Sequence, residues 1–203
     1  MNGKYFLKIA EGLDIAPLMA ELEAQPELWD QHEWRKKIPG GPHSQMTDIW
    51  IRYNDIRPYQ AKGDYRGFTG EHDSVWYPAY AKLPALRGLI YPLMAMVEGE
   101  RLGGVLITRI PPGHGIGAHV DAGWHVEYYD KFYISLKSAP GAKFICHHGA
   151  GEVLEPAPGE CWRFDNRFMH SVKNESTADR ITLIVCIRTQ RYQDHGASHA
   201  QAA

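Results

Sequence analysis

The stretch Gly113-His114-Gly115-Ile116-Gly117-Ala118-His119-Val120-Asp121 holds a histidine and a carboxylate two residues apart. On an extended strand, residues i and i+2 project to the same face. The His119 imidazole and the Asp121 carboxylate therefore converge on one point. They make two thirds of a two-histidine, one-carboxylate facial triad, a ligand set that suits non-haem Fe(II) and leaves coordination positions open. The third ligand must come from elsewhere in the chain, and His170 in Arg167-Phe168-Met169-His170-Ser171-Val172 is the best candidate. Alone, His-x-Asp is a weak signal: the pair could be structural, and His170 could cap a turn. A metal would need both imidazoles neutral and the carboxylate ionised, their usual states near neutral pH.

Arg180 is the fourth candidate. It opens Arg180-Ile181-Thr182-Leu183-Ile184-Val185-Cys186-Ile187-Arg188, an almost wholly apolar strand. A guanidinium buried there wants a carboxylate, ideally in bidentate geometry. A small dicarboxylate that chelates the metal through its other end would meet that need. The rival reading is a surface ion pair with Asp179 or Glu175. A hairpin of the His170 and Arg180 strands would bring Arg180 to the same cavity. Other residues could reach a substrate: Arg52 and Tyr53 on an early strand, and Trp124 and His125 in an aromatic segment after the metal motif. For His125 the surface-loop reading is the favoured one. His147 and His148 are adjacent on a strand, face opposite sides and cannot easily share an ion. His114 reads as a turn residue, and His195 and His199 as surface residues of the tail.

These groups need a scaffold. The chain has 203 residues, 44% of them hydrophobic and 11% aromatic, and carries a net charge of −2. That fits a single globular domain, with no repeat and no linker. No basic run announces a nucleic-acid partner, which argues weakly against one. No apolar run is long enough to span a membrane, and the start lacks a signal-peptide pattern. Cys146, Cys161 and Cys186 have no metal or disulfide spacing and lie in apolar runs, so a reducing cytoplasm is expected.

Residues 14–24 read as a helix, with Asp14 as cap and Pro17 in the first turn. Residues 84–97 read as another, with Leu86, Leu89, Ile90, Leu93, Met94 and Val97 at helical spacing and Pro84 in the first turn. Residues 47–53 have strand composition, 26–46 read as loop, and 54–81 read as a long loop that is functional or hides short elements. From Gly103 onward short apolar runs alternate with turns: 105–110, 116–121, 132–137, 143–147, 160–165, 170–174 and 180–188. This rhythm predicts an antiparallel sandwich or barrel. Residues 1–100 would support a core at 101–190, with a polar tail from 192.

Residues 102–188 resemble the 2-oxoglutarate- and Fe(II)-dependent oxygenases, in particular their aspartyl/asparaginyl β-hydroxylase-like branch. The matching stretches are 110–121, Lys131-Phe132-Tyr133-Ile134-Ser135-Leu136, Gly159-Glu160-Cys161-Trp162-Arg163-Phe164-Asp165, His170-Ser171-Val172-Lys173-Asn174 and Arg180-Ile181-Thr182-Leu183. The resemblance implies a mainly β fold with flanking helices, a cupin-like double-stranded β-helix or jelly roll. It implies that His119, Asp121 and His170 bind Fe(II), and that Arg180 holds the distal carboxylate of 2-oxoglutarate. Where the branch often has Arg-x-His, this chain has Lys131 and Tyr133, which are expected to contact the cosubstrate in altered form. The implied reaction consumes dioxygen and 2-oxoglutarate, releases succinate and CO2, and hydroxylates an unactivated C–H. The implied substrate is an amino-acid side chain, free or in a peptide or protein. A metal-dependent cupin-type enzyme without 2-oxoglutarate and a non-catalytic ligand-binding jelly roll remain as alternatives.

Overall fold

A computed structural model of the chain describes residues 5–38 and 41–190. The expected polar tail, with His195 and His199, lies outside the described residues. The elements run β1 (Phe6–Ala10), α1 (Ala16–Ala24), a 3-10 turn (Pro26–Leu28), α2 (Trp34–Lys37), β2 (Thr47–Tyr53), α3 (Arg57–Lys62), β3 (Val75–Trp76), α4 (Ala79–Lys82) and α5 (Leu86–Met96). They continue with β4 (Arg101–Ile110), β5 (Gly115–His119), α6 (Trp124–Tyr128), β6 (Asp130–Lys137), β7 (Ala142–Cys146), β8 (Glu152–Leu154), β9 (Cys161–Phe164), β10 (His170–Asn174) and β11 (Arg180–Arg188).

The strands form two antiparallel sheets, β1-β9-β6-β11-β4-β2-β3 and β5-β10-β7-β8. They face one another through Phe6, Phe164 and Ile110 of the larger sheet and Phe144 and Val172 of the smaller. This is the expected jelly roll. Side-chain alternation on the central strands explains its layers. On β11, Ile181, Leu183, Val185 and Ile187 join Phe132, Ile134 and Leu136 of β6 in the main core, where Leu86, Leu89, Ile90 and Leu93 of α5 cover them. Each such side chain, fully buried, contributes about 1.5–3 kcal/mol. The opposite faces, with Arg180, Thr182, Ile184 and Cys186 on β11 and Lys131, Tyr133 and Ser135 on β6, turn toward the smaller sheet. Both faces of β11 are thus covered, which is why its sequence is nearly continuously apolar.

Several expectations need correction. The first helix starts at Ala16 behind Ile15. Asp14 is not its cap residue, although its Oδ1 accepts the Ala16 N–H at 3.3 Å. Pro84 lies ahead of the second helix, and the proline inside that helix is Pro92. Residues 26–46, read as loop, hold the 3-10 turn and α2; β1 and β8 were not expected as strands, nor were the short elements within 54–81 expected individually. β10 and β11 do not form a hairpin: β10 pairs with β5 and β7, while β11 pairs with β4 and β6. The chain between them crosses from one sheet to the other. No helix among the described residues is long and apolar enough to cross a membrane.

The pairing of β5 with β10 sets His119 directly opposite His170. It depends on Gly115, where a side chain would overlap the Val172 carbonyl oxygen of the partner strand. Gly115→Ala should therefore pry the strands apart, costing about 1–3 kcal/mol of stability. Chemical denaturation together with metal titration checks this, because the same shift should weaken metal binding.

Candidate metal centre and its cavity

Antiparallel pairing brings the two imidazoles together, with ring centroids 4.3 Å apart. Asp121 lies beyond the end of β5 and not on it, so strand alternation does not place it as expected. Its backbone N–H instead donates to the Asn166 carbonyl at 3.1 Å, which folds the carboxylate back toward His119. His119 Nε2 and Asp121 Oδ1 are 3.3 Å apart. Among the described residues, ligand atoms of His119, Asp121 and His170 all lie within 4.8 Å of one another. His147 does not join a metal group: its Nε2 meets Ser171 Oγ at 2.7 Å.

The ring orientations are fixed from behind. His119 Nδ1 lies 2.8 Å from the Gly117 carbonyl and His170 Nδ1 2.9 Å from the Phe168 carbonyl. A carbonyl can only accept, so each Nδ1 carries a proton; His170 Nε2 offers a lone pair, and His119 Nε2 offers one once the proton it shares with Asp121 is displaced, the arrangement of a metal-ligating histidine. Burial pushes the His170 imidazole down to about 4, against the opposing pull of the Phe168 carbonyl and Asp121. Burial also opposes a proton on His119, but its hydrogen bonds to Asp121 and Gly117 hold it above its ordinary value. The Asp121 carboxyl is penalised by burial yet held well below the usual carboxylate range by the Lys131 ammonium and by hydrogen bonds from His119, Lys131 and Asn166.

Lys131 was expected to reach the cosubstrate. Its ammonium instead lies 2.6 Å from Asp121 Oδ2, which also accepts a hydrogen bond from Asn166 Nδ2. The pair is mostly buried, with side-chain exposures of 18% and 22%. Removing one partner leaves the other as an uncompensated charge. Lys131→Met is expected to destabilise the metal-free protein by on the order of 2 kcal/mol, and a bound divalent cation should offset part of that loss. Urea unfolding with and without Zn(II) measures both effects.

Arg180 is 4% exposed and makes no ion pair with any described residue. Glu175, its expected rival partner, pairs with Lys143 at 2.6 Å. The Arg180 Nε is buried with no hydrogen-bond partner. Burial pushes the guanidinium down to about 10, with the Tyr133 phenol partly opposing, so it stays charged near neutral pH. Burial also raises the Tyr133 hydroxyl, and its ring packs edge-on against Phe144 with centroids 5.1 Å apart. A buried, charged and orphaned guanidinium fits a carboxylate ligand, and three convergent N and O donors fit a divalent transition metal.

A cavity of about 220 Å³ opens beside the triad, with Asp121, Lys131, Tyr53, His72, His125 and Cys186 in its wall. His125 is not a wet surface residue. It sits on α6, and burial pushes it down to about 3. Trp124 packs behind the wall against His72, with centroids 5.3 Å apart. Arg52 does not line the cavity: its Nη1 donates to the Gly103 carbonyl at 3.1 Å and its guanidinium lies over Trp76. His72 was not anticipated, nor were Asn166 and His43, whose ring packs edge-on to His119 at 5.4 Å. All three sit in irregular segments whose patterning carries no positional signal. For Asn166, its place in the turn between the runs at 160–165 and 170–174 was the only clue.

Residues 68–189 match the family model described as Aspartyl/Asparaginyl beta-hydroxylase. Among curated proteins, none matches the sequence. Among solved structures, a prolyl hydroxylase from Trichoplax adhaerens, in complex with a hypoxia inducible factor oxygen degradation domain peptide fragment, superposes with a TM-score of 0.63 at 11% identity, over 93% of this chain and 86% of that one. An oxidoreductase of the 2OG-Fe(II) oxygenase family from Burkholderia pseudomallei gives 0.53 at 17% identity, over 70% and 67%. A prolyl-4-hydroxylase from Pseudomonas putida gives 0.51 at 14%, over 92% and 94%. At these identities the structural likeness is one of fold.

Proposed function

Because the chain belongs to the aspartyl/asparaginyl beta-hydroxylase family, we propose that His119, Asp121 and His170 hold Fe(II), that Arg180 anchors the distal carboxylate of 2-oxoglutarate, and that the product is a hydroxylated amino-acid side chain. The protein is an Fe(II)- and 2-oxoglutarate-dependent dioxygenase. When bound, iron and 2-oxoglutarate supply the oxidising power, with one oxygen atom of O2 entering succinate and the other the substrate C–H.

The chain's own residues prepare that chemistry. The Gly117 and Phe168 carbonyls hold the two imidazoles with Nε2 presented. Asn166 and Lys131 keep the Asp121 carboxylate ionised and aimed. His119 must give up its shared proton before it can ligate. Arg180, assisted by the Tyr133 phenol, supplies the buried charge for the cosubstrate. The packed sheets around them exclude water, which strengthens each of these interactions. The observation that carries this reading is the coexistence, in one fold, of a convergent three-ligand cluster and an orphaned, buried arginine.

A peptide is favoured over a free amino acid by a second groove of about 660 Å³, which shares Trp34 and Ile38 with the cavity. The three buried free thiols support a reducing, cytoplasmic setting. Turnover tests the reaction. Supplied with Fe(II), 2-oxoglutarate and O2, the protein should form succinate matched mole for mole by a product 16 Da heavier from one member of a panel of amino acids and peptides. Substrate oxidation without succinate would instead support the cupin-type alternative.

A further inference from the structure

Two atoms in the cavity wall are buried without a hydrogen-bond partner, Nε2 of His72 and Nε2 of His125. Leaving such an atom unmet costs about 1–3 kcal/mol, and its persistence in a folded protein calls for an explanation. The cosubstrate answers the orphaned Arg180 Nε, but nothing in that chemistry answers the two histidines.

The rings are nearly parallel, with centroids 5.9 Å apart and planes inclined by 21°. Tyr129 packs at 4.8 Å from His125 and Trp124 at 5.3 Å from His72, so neither ring swings freely. His72 Nδ1 lies 2.8 Å from the Gly70 carbonyl and must donate to it, so Nε2 carries a lone pair and can only accept. No side-chain hydrogen bond to a described residue fixes the His125 tautomer, which leaves its Nε2 able to donate. Burial keeps both rings neutral. Gly104 leaves room beside this atom: a Cβ there would stand 3.4 Å from both His125 Nε2 and the Tyr53 ring.

One acceptor beside one potential donor is complementary to a group that offers both and bears no charge. A carboxylate has no N–H for His72 and would set negative charge against its lone pair. An ammonium would share the cavity with Arg35 and Lys131. We propose that His72 and His125 are the specificity-determining pair of this cavity and read an uncharged amide of the substrate. The amide N–H is donated to His72 Nε2, and its oxygen accepts from His125 Nε2. This rests on the hydroxylase reading above for the site's being a substrate cavity. The amide is a side-chain carboxamide.

The test uses the full chain loaded with Zn(II), with and without 2-oxoglutarate, and three probes: the N-acetyl N-methylamides of asparagine, aspartate and leucine. Imidazole nitrogen NMR and binding constants are read together. Binding should shift the Nε2 resonances of His72 and His125, and the asparagine probe should bind at least about tenfold tighter than the aspartate probe. That ratio should fall to about one in His72→Phe and return in part in His72→Gln, which restores an acceptor. The leucine probe should bind much more weakly than asparagine; a leucine probe as tight as asparagine would overturn the proposal, because every probe carries the same backbone amides. The proposal is overturned if the aspartate probe binds as tightly in wild type, if the ratio survives in His72→Phe, or if no probe moves either resonance. Cosubstrate binding is measured in the same samples. Its failure with the amide preference intact would sink the hydroxylase reading alone, while an intact cosubstrate site without the preference would sink only this proposal.

Discussion

Arg180→Met is expected to weaken 2-oxoglutarate binding by roughly 30-fold to several thousand-fold, the equivalent of about 2–5 kcal/mol for truncating one partner of a buried, charge-assisted pair. The effect should be large because the guanidinium is almost fully buried and has no alternative anion among the described residues. Arg180→Lys keeps the charge but not the planar fork, and should recover only part of the affinity. The ligand-free variant should unfold no earlier than wild type, since methionine removes a desolvated charge while filling similar space. Calorimetric titration of the metal-loaded protein and thermal unfolding of the ligand-free protein check the two halves. A fall in cosubstrate affinity with unchanged melting is the expected pattern.

The second large effect is on the metal. His170→Ala leaves two of three ligands and should reduce Fe(II) or Zn(II) affinity by more than the roughly 10–100-fold typical of losing an outer partner of a ligand. Wild type should gain about 2.7 kcal/mol at a hundredfold excess of metal over its dissociation constant. In a protein of this size that is a rise in melting temperature of roughly 5–10 °C, which the variant should lose. The pH dependence has a definite sign. His119 holds its proton more tightly than an ordinary histidine, whereas His170 is already neutral well below pH 6. Metal affinity should therefore fall about tenfold per unit as pH drops below the His119 value, one proton being displaced. Metal titrations between pH 5.5 and 8 read the slope.

Much of the proposed site was legible because its candidate ligands sit on or beside regular strands. His119, His170 and Arg180 each mark a strand end, and alternation along β11 assigns Arg180 to the face opposite Ile181 and Leu183. The carboxylate of the proposed triad was found for a partly wrong reason: Asp121 lies beyond β5 and is brought round by the backbone bond to Asn166. What remained hidden came from irregular chain. His43 and His72 lie in segments with no periodicity, and only long-range packing carries them to the cavity. The segment around His125 mixes polar and aromatic residues in a way that reads as wet, yet in the fold α6 turns His125 inward. Lys131 was expected to meet an anion in the cosubstrate, but a carboxylate of the chain itself, ten positions earlier, reaches it first. Composition shows that such a charge needs a partner and does not choose between two of them.

The most direct test of the central claim is an anaerobic titration of Fe(II) and 2-oxoglutarate into wild type and Arg180→Met, followed by visible absorption. A weak metal-to-ligand charge-transfer band should appear in wild type only when both are present, saturate at one equivalent of each, and need far more 2-oxoglutarate in the variant. Iron binding without such a band in wild type would contradict the cosubstrate assignment, and failure of iron to bind would contradict the His119–Asp121–His170 centre itself.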